Sequence, residues 1–206
     1  MDFFTRLELI RERWNVLAHP FYTRWEQGRL TRAELAHYAG QYRHAVVALA
    51  HTAERAAHEA DGAEAAELSE HALEERAHVD LWDDFAAAVG AQDEAPNEGT
   101  AACAAAWKAG EDLSGALAVL YAVESGQPEI SRTKLDGLER HYGLARGEAA
   151  TTYFKLHAHL DEVHAAQSHR LLEERLEGED TERLLGLAEG ALEGNWRLLD
   201  AVEAGR

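Results

Sequence analysis

Two stretches of the same form, His71-x3-Glu75-x2-His78 and His157-x3-Asp161-x2-His164, lie far apart in the chain. At about 100° per residue, steps of four and seven bring a side chain back to within about 40° and 20° of the first. Each stretch therefore sets imidazole, carboxylate and imidazole along one narrow helix face. As helices, the two stretches can turn these faces either toward each other, where they would make a metal cage, or toward water. With 12 His and 38 Asp or Glu among 206 residues, the pattern arises by accident roughly 0.1 times per chain. Two occurrences point to a shared task, although either one alone also reads as a solvated His/Glu face.

The composition agrees with helices. It is rich in Ala, Leu and Glu and has only three Pro, which favours helix wherever packing does not decide. No Pro/Gly/Ser-rich stretch divides the chain, so residues 1–206 read as one all-α domain. A net charge of −18, spread along the chain, repels phosphate backbones and anionic lipid and argues against nucleic acid as a partner. No apolar run approaches the ~20 residues of a membrane span, and the start Met1-Asp2-Phe3-Phe4-Thr5-Arg6 lacks a signal-peptide core. A cytoplasmic location is expected. Cys103 is the only cysteine, so a metal would be held by nitrogen and oxygen; within its Ala-rich surroundings Cys103 reads as a small buried residue.

Caps and breakers divide the chain into helices over about 4–18, 20–25, 31–60, 62–89, 100–109, 112–125, 127–142, 147–176 and 182–203, a bundle of seven to nine helices. Thr31-x-x-Glu34 is a capping box, Gly90 and Gly143 are stops, and Thr100 is a cap candidate. His37, His44, His51 and His58 recur every seven residues and wind slowly around their helix. Of these, His44 is expected to face inward beside Tyr38 and Tyr42.

The segment from Leu113 to Glu124 is apolar almost to its end, so the Glu124 carboxylate needs a partner inside the protein. Imidazoles and carboxylates without thiolates suit iron, manganese or zinc, and sets of this kind between bundle helices hold pairs of ions. The expected ligands are Glu75, His78, Glu124, His157, Asp161 and His164, with His71 and Glu74 as further candidates. Two divalent ions need a bridging carboxylate, a task expected of Glu124. Iron with an open position binds O2; zinc would instead activate water. The plainer alternative makes Glu74 and Glu75 surface partners of His71 and His78 and leaves Asp161 in solvent.

Several segments carry a resemblance over nearly the whole chain. They are His19-Pro20-Phe21-Tyr22, Gly28-x-Leu30-Thr31, Gln41-Tyr42, Glu75-x2-His78-x2-Leu81-Trp82, Tyr121-x2-Glu124-x3-Pro128-x5-Lys134-x2-Gly137-Leu138-x3-Tyr142-Gly143, and His157-x3-Asp161-x2-His164. The chain resembles the haem-oxygenase-like di-metal oxidases and oxygenases, relatives in fold of the thiaminase-like and pyrroloquinoline-quinone-synthase-like proteins. The resemblance implies a haem-oxygenase-like bundle, two irons, O2 as co-substrate, and a homodimer. Its reactions include N-oxygenation, oxidative C–C cleavage and, in the death-domain-associating branch, formation of p-aminobenzoate partly from the enzyme's own side chains. The Tyr121 to Lys134 segment is most similar to that branch. It implies Lys134 as an amino donor and Tyr22, Tyr42 and Tyr121 as precursor candidates, with a small organic substrate as the other possibility. One departure is visible: some relatives carry a carboxylate seven residues before the histidine at 78, where this chain has His71. A haem reading would draw on His19, but haem has no use for the carboxylates. The competing class is a non-catalytic helical protein of the same fold that binds a small molecule or a protein partner.

Overall fold

A computed structural model describes residues 1–205. Among these residues the chain forms ten α-helices, two 3-10 turns and no strand. Helix α1 (Phe3–Arg13) starts where the Asp2 carboxylate accepts from the Thr5 amide at 2.9 Å. It was expected to reach residue 18 but stops at Trp14, because the Asn15 side chain accepts from the Leu17 amide and opens a 3-10 turn, Val16–Ala18. Helix α2 (Pro20–Glu26) is capped by His19, whose Nδ1 accepts from the Phe21 amide at 3.0 Å. The other His19 nitrogen lies 3.2 Å from Asp200. With both nitrogens engaged, His19 is a helix cap, and the haem-ligand role lapses.

The long helices α3 (Arg32–Glu59) and α4 (Gly62–Val89) form an antiparallel hairpin packed along its length. The Thr31–Glu34 capping box is present, and Gly90 ends α4 at φ 83°, a left-handed conformation suited to glycine. Across the hairpin, the Trp82 indole donates to the Ala39 carbonyl at 2.8 Å. The heptad histidines of α3 have structural uses. His37 lies 3.1 Å from the Glu94 carboxylate, His44 Nε2 lies 2.9 Å from the Glu94 carbonyl, and together with Gln41 they anchor the 91–97 loop. His51 and His58 sit in solvent beside Glu54 and Glu59. His44 is therefore a loop anchor and does not line the interior.

Helix α5 (Glu98–Trp107) begins two residues before the expected Thr100, because the Asn97 side chain takes the Thr100 amide at 2.8 Å. Helix α6 (Leu113–Glu124) lies in the centre, with Leu117, Val119 and Leu120 fully buried. Each such side chain contributes about 1.5–3 kcal/mol of burial. Helix α7 (Gln127–His141) follows after a tight break at Ser125-Gly126, with Pro128 in its first turn. It is pressed onto α2 at Gly137, where a Cβ would stand 2.5 Å from the Trp25 ring, and the Trp25 indole donates to the Lys134 carbonyl at 3.1 Å.

The continuous helix expected over 147–176 is split into α8 (Ala149–His157) and α9 (Leu160–Glu173), which raises nine expected segments to ten. The Ala158 carbonyl accepts from Arg132 of α7 at 3.0 Å, and His159 adopts non-helical angles. The chain turns just after His157, so His157 ends one helix while Asp161 and His164 begin the next. A 3-10 turn (Leu176–Gly178) and the long α10 (Thr181–Ala204) complete the fold, with α10 packed on α5, α6 and α1. No described helix is long and apolar enough to cross a membrane.

Candidate metal centre and aromatic cage

Where α4, α6, α8 and α9 meet, seven side chains capable of binding metal are buried together: His71, Glu75, His78, Glu124, His157, Asp161 and His164. Their ligand atoms fall into two groups. His71, Glu75, Glu124 and His164 form one, and Glu75, His78 and His157 form the other; within each, the ligand atoms lie within 4.8 Å of one another. Glu75 belongs to both groups, whereas Glu124, the expected bridge, belongs to one. His71 is a full member of the first group, in the position where some relatives carry a carboxylate.

The contacts within the cluster leave an inward-facing set of donors. His78 Nδ1 is 2.9 Å from Glu75, and His157 Nδ1 meets both Asp161 oxygens at 2.8 and 2.9 Å. His164 Nε2 is 2.8 Å from Glu74, which is partly exposed at the edge. Asp161 and Glu74 thus fix the tautomer and ring orientation of His157 and His164, the usual task of carboxylates behind metal-bound histidines. Asp161 was expected to be a ligand; here it orients His157 and lies 3.9 Å from His164 Nδ1. His71 Nε2 and Glu124 lie 2.8 Å apart without hydrogen-bond alignment. Both nitrogens of His71, both Glu124 oxygens, His157 Nε2 and His164 Nδ1 are buried without a hydrogen-bond partner. Buried polar atoms without partners are expensive, and six in one place fit ligand atoms converging on cations.

Charge follows the same logic. Burial alone would raise Glu75, but the hydrogen bond from His78 and the charges of His157 and His78 hold it well below the ordinary carboxylate range. Burial pushes Glu124 up, and His71 only partly offsets this. His71 and His157 would be lowered by burial, yet the surrounding carboxylates lift both above the usual imidazole range. The acidic cluster attracts positive charge, and divalent ions would replace these protons.

A second buried assembly adjoins the first. Lys134, 1% exposed, places its Nζ over the rings of Tyr42, Tyr22, Tyr38, Phe154 and Trp82 at 4.7, 5.3, 5.5, 5.6 and 5.8 Å. Burial lowers its pKa to about 7, so an appreciable fraction of the amine is neutral. The Tyr22 and Tyr38 hydroxyls are 3.1 Å apart. Trp82 stands 4.9 Å from Tyr153, and Tyr153 stands 4.1 Å from His157, which links the cage to the histidines by ring contact.

Tyr22, Tyr42 and Lys134 are thus brought together, as the sequence suggested. Tyr121 is not in this cage; it is half-buried at the outer edge of α6 against Phe4 and His169. Tyr38 and Tyr153 were not among the expected site residues, although each lies one helical turn from a residue that was, Tyr42 and His157. Cys103 is buried, and burial raises its thiol pKa, in keeping with a packing role.

The sequence model for the iron-containing redox enzymes matches residues 32–201. The chain belongs to that family. A 4-aminobenzoate synthase from Chlamydia trachomatis serovar D is 30% identical over 214 aligned positions, covering 98% of this chain and 92% of that one. The 4-aminobenzoate synthase of Nitrosomonas europaea is 28% identical, covering 91% and 85%. Among solved structures, a domain of unknown function with a haem-oxygenase-like fold from Shewanella denitrificans superimposes with a TM-score of 0.82 at 19% identity, over 100% of this chain and 93% of that one. A TenA homologue from P. horikoshii gives 0.80 at 15% identity, with both chains fully covered. These two likenesses establish the haem-oxygenase-like fold, and this member of the iron-containing redox enzymes carries its buried His/Glu cluster at the centre of that fold.

Proposed function

We propose that this iron-containing redox enzyme is a non-haem di-iron oxidase that uses O2 to form 4-aminobenzoate from its own side chains, with Lys134 supplying nitrogen and a tyrosine of the cage, Tyr22 or Tyr42, supplying the ring. The observation that carries this reading is the pair of buried ligand groups sharing Glu75, next to a partly neutral lysine enclosed by tyrosines. His71, Glu75, Glu124 and His164 would hold one iron, and Glu75, His78 and His157 the other. When bound, the irons supply O2 reduction and take electrons from the organic groups being oxidised.

The chain's own residues prepare the setting. Glu74 and Asp161 keep His164 and His157 oriented, so that each presents a fixed nitrogen inward. The rings around Lys134 exclude water and keep part of the amine population unprotonated, which a nitrogen donor requires. The Tyr22 and Tyr38 hydroxyls share a hydrogen bond, which holds the two rings in fixed orientation beside the amine. Names of relatives support the product, because the curated proteins at 28–30% identity are called 4-aminobenzoate synthases.

The test is to load the protein with ferrous iron without air, admit O2, and examine it by peptide mass spectrometry together with product analysis. Formation of 4-aminobenzoate with altered Lys134 and Tyr22 or Tyr42 peptides, abolished in Lys134→Met, is the expected result. Many turnovers with every side chain intact would show that an external substrate is oxidised instead.

A further inference from the structure

A metal centre closed on all sides needs a way in for its ions. His71 and His164 are only 2% and 3% exposed, yet both line a surface cleft of about 570 Å³ between α4 and α9, so their rings form its closed inner end. Both belong to the ligand group that also holds Glu75 and Glu124. Both nitrogens of His71 and the Nδ1 of His164 lack a hydrogen-bond partner. The His164 ring spans from cleft wall to cluster. Its Nε2 lies 2.8 Å from Glu74, a partly exposed wall residue, and its Nδ1 lies 3.7 Å from Glu75. One imidazole therefore separates the cleft from the shared carboxylate of the centre.

The charge of the walls is graded in the same direction. Glu67, Glu70 and Glu74 stand at steps of three and four on α4, on the face that carries His71. Glu67 and Glu70 are exposed at the mouth, and Glu74 lies farther in. Arg170 of α9 lines the same cleft but is already engaged, with Glu67 at 2.7 Å and Glu174 at 3.5 Å. Glu70 forms no ion pair among the described residues, so the mouth keeps uncompensated negative charge, which raises the local concentration of cations. A second cleft reaches the cluster at Asp161. There both Asp161 oxygens are held by His157, and the exposed Glu162 is matched by Arg132 at 3.3 Å. Only the α4–α9 cleft combines free acidic charge with unpartnered ligand nitrogens.

We propose that the α4–α9 cleft is the entry port for the divalent cations of the buried centre. Glu70 gathers the hydrated ion at the mouth, and Glu74 and His164 carry it inward by exchanging its water for carboxylate oxygen and imidazole nitrogen. The Glu67–Arg170 pair bridges the two helices and tempers the charge of the mouth. The port presupposes the metal centre, and it concerns how that centre fills rather than what it does when filled.

Stopped-flow uptake of Co2+ by the full chain tests this, because the visible absorption of Co2+ changes when imidazole and carboxylate replace its water. Glu70→Lys is expected to slow uptake on the order of tenfold at about 10 mM salt, with the difference shrinking toward none at ~0.5 M. Arg170→Gln, which frees Glu67, should speed uptake roughly twofold to fourfold at low salt. Val163→Trp, an uncharged change at an exposed wall position, should slow uptake at every salt concentration. Glu162→Lys, with the same change in net charge at the other cleft, should slow it far less than Glu70→Lys. Cobalt bound per chain at saturation should be equal in all five proteins. Uptake rates indifferent to Glu70→Lys and Val163→Trp, or a Glu162→Lys chain as slow as Glu70→Lys, would overturn the port while leaving the metal centre in place. A chain that takes up no Co2+ at saturation would overturn the centre and the port together.

Discussion

Lys134 shows how burial of one residue is tied to reactivity. Its folded pKa of about 7 lies below the ~10.4 of an exposed lysine, so between those values the unfolded chain binds more protons and stability rises with pH. The penalty is fully present below pH 7 and fades as pH climbs toward the lysine's unfolded value. Lys134→Met is therefore expected to stabilise the protein by on the order of 3–5 kcal/mol at pH 6 to 7, with the gain shrinking toward zero by about pH 10; denaturant melts at several pH values measure it. A gain that stays constant with pH would mean that the amine is not the source of the strain. At this scale the sequence was most informative. The spacing within each triplet marked all the clustered histidines, and Glu124 stood out because its neighbours are apolar. Spacing could not separate a metal ligand from the carboxylate behind a histidine. Asp161 and Glu75 occupy the same place in their triplets, yet Asp161 spends both oxygens on His157 while Glu75 lies in both ligand groups.

The elements that carry these residues are positioned by a few close contacts. The break between α8 and α9 was invisible in the sequence, because no Gly or Pro marks it; it arises when Arg132 of another helix takes the Ala158 carbonyl. Helix starts capped by local side chains, such as Thr31 with Glu34, were legible, since cap and amide are neighbours in the chain. The loop histidine His44 was misread for the opposite reason: its partner, the Glu94 carbonyl, lies in a different segment. The Trp25–Gly137 contact fixes α2 against α7 beside the cage. Gly137→Ala would place a methyl group 2.5 Å from the indole, and overpacking of that kind costs about 1–3 kcal/mol. The expected result is a lower melting temperature together with a shifted Lys134 environment, read from the pH dependence of stability. An unchanged melt would show that α2 and α7 separate without cost.

For the molecule as a whole, the haem-oxygenase-like bundle brings two distant stretches face to face, with the His71 ring 3.8 Å from that of His164 and the His78 ring 4.4 Å from that of His157, and α6 supplies Glu124 beside them. The all-α class was readable from composition and periodicity and the haem-oxygenase-like bundle from the resemblance, but the way the faces meet was not, because it depends on long-range packing of α4 against α8 and of α6 against α9. The cluster concentrates carboxylates and imidazoles in which six buried polar atoms lack a hydrogen-bond partner, and polar atoms left so weaken a fold. Saturating ferrous iron under anaerobic conditions should therefore stabilise the chain by about 2.7 kcal/mol at a hundredfold excess over the dissociation constant. That corresponds to roughly 5–10 °C in melting temperature for a domain of this size, and a chelator should reverse it. Melting that is indifferent to iron would remove the link between the site and stability.

Glu75 belongs to both adjoining ligand groups and would touch both ions. Iron content per chain after anaerobic loading and desalting tests it most directly, measured in the unaltered protein and in Glu75→Gln. Two irons per chain, falling to one or none in Glu75→Gln, is the predicted result. One iron or none in the unaltered protein, or two irons that survive the loss of the Glu75 carboxylate, would contradict it.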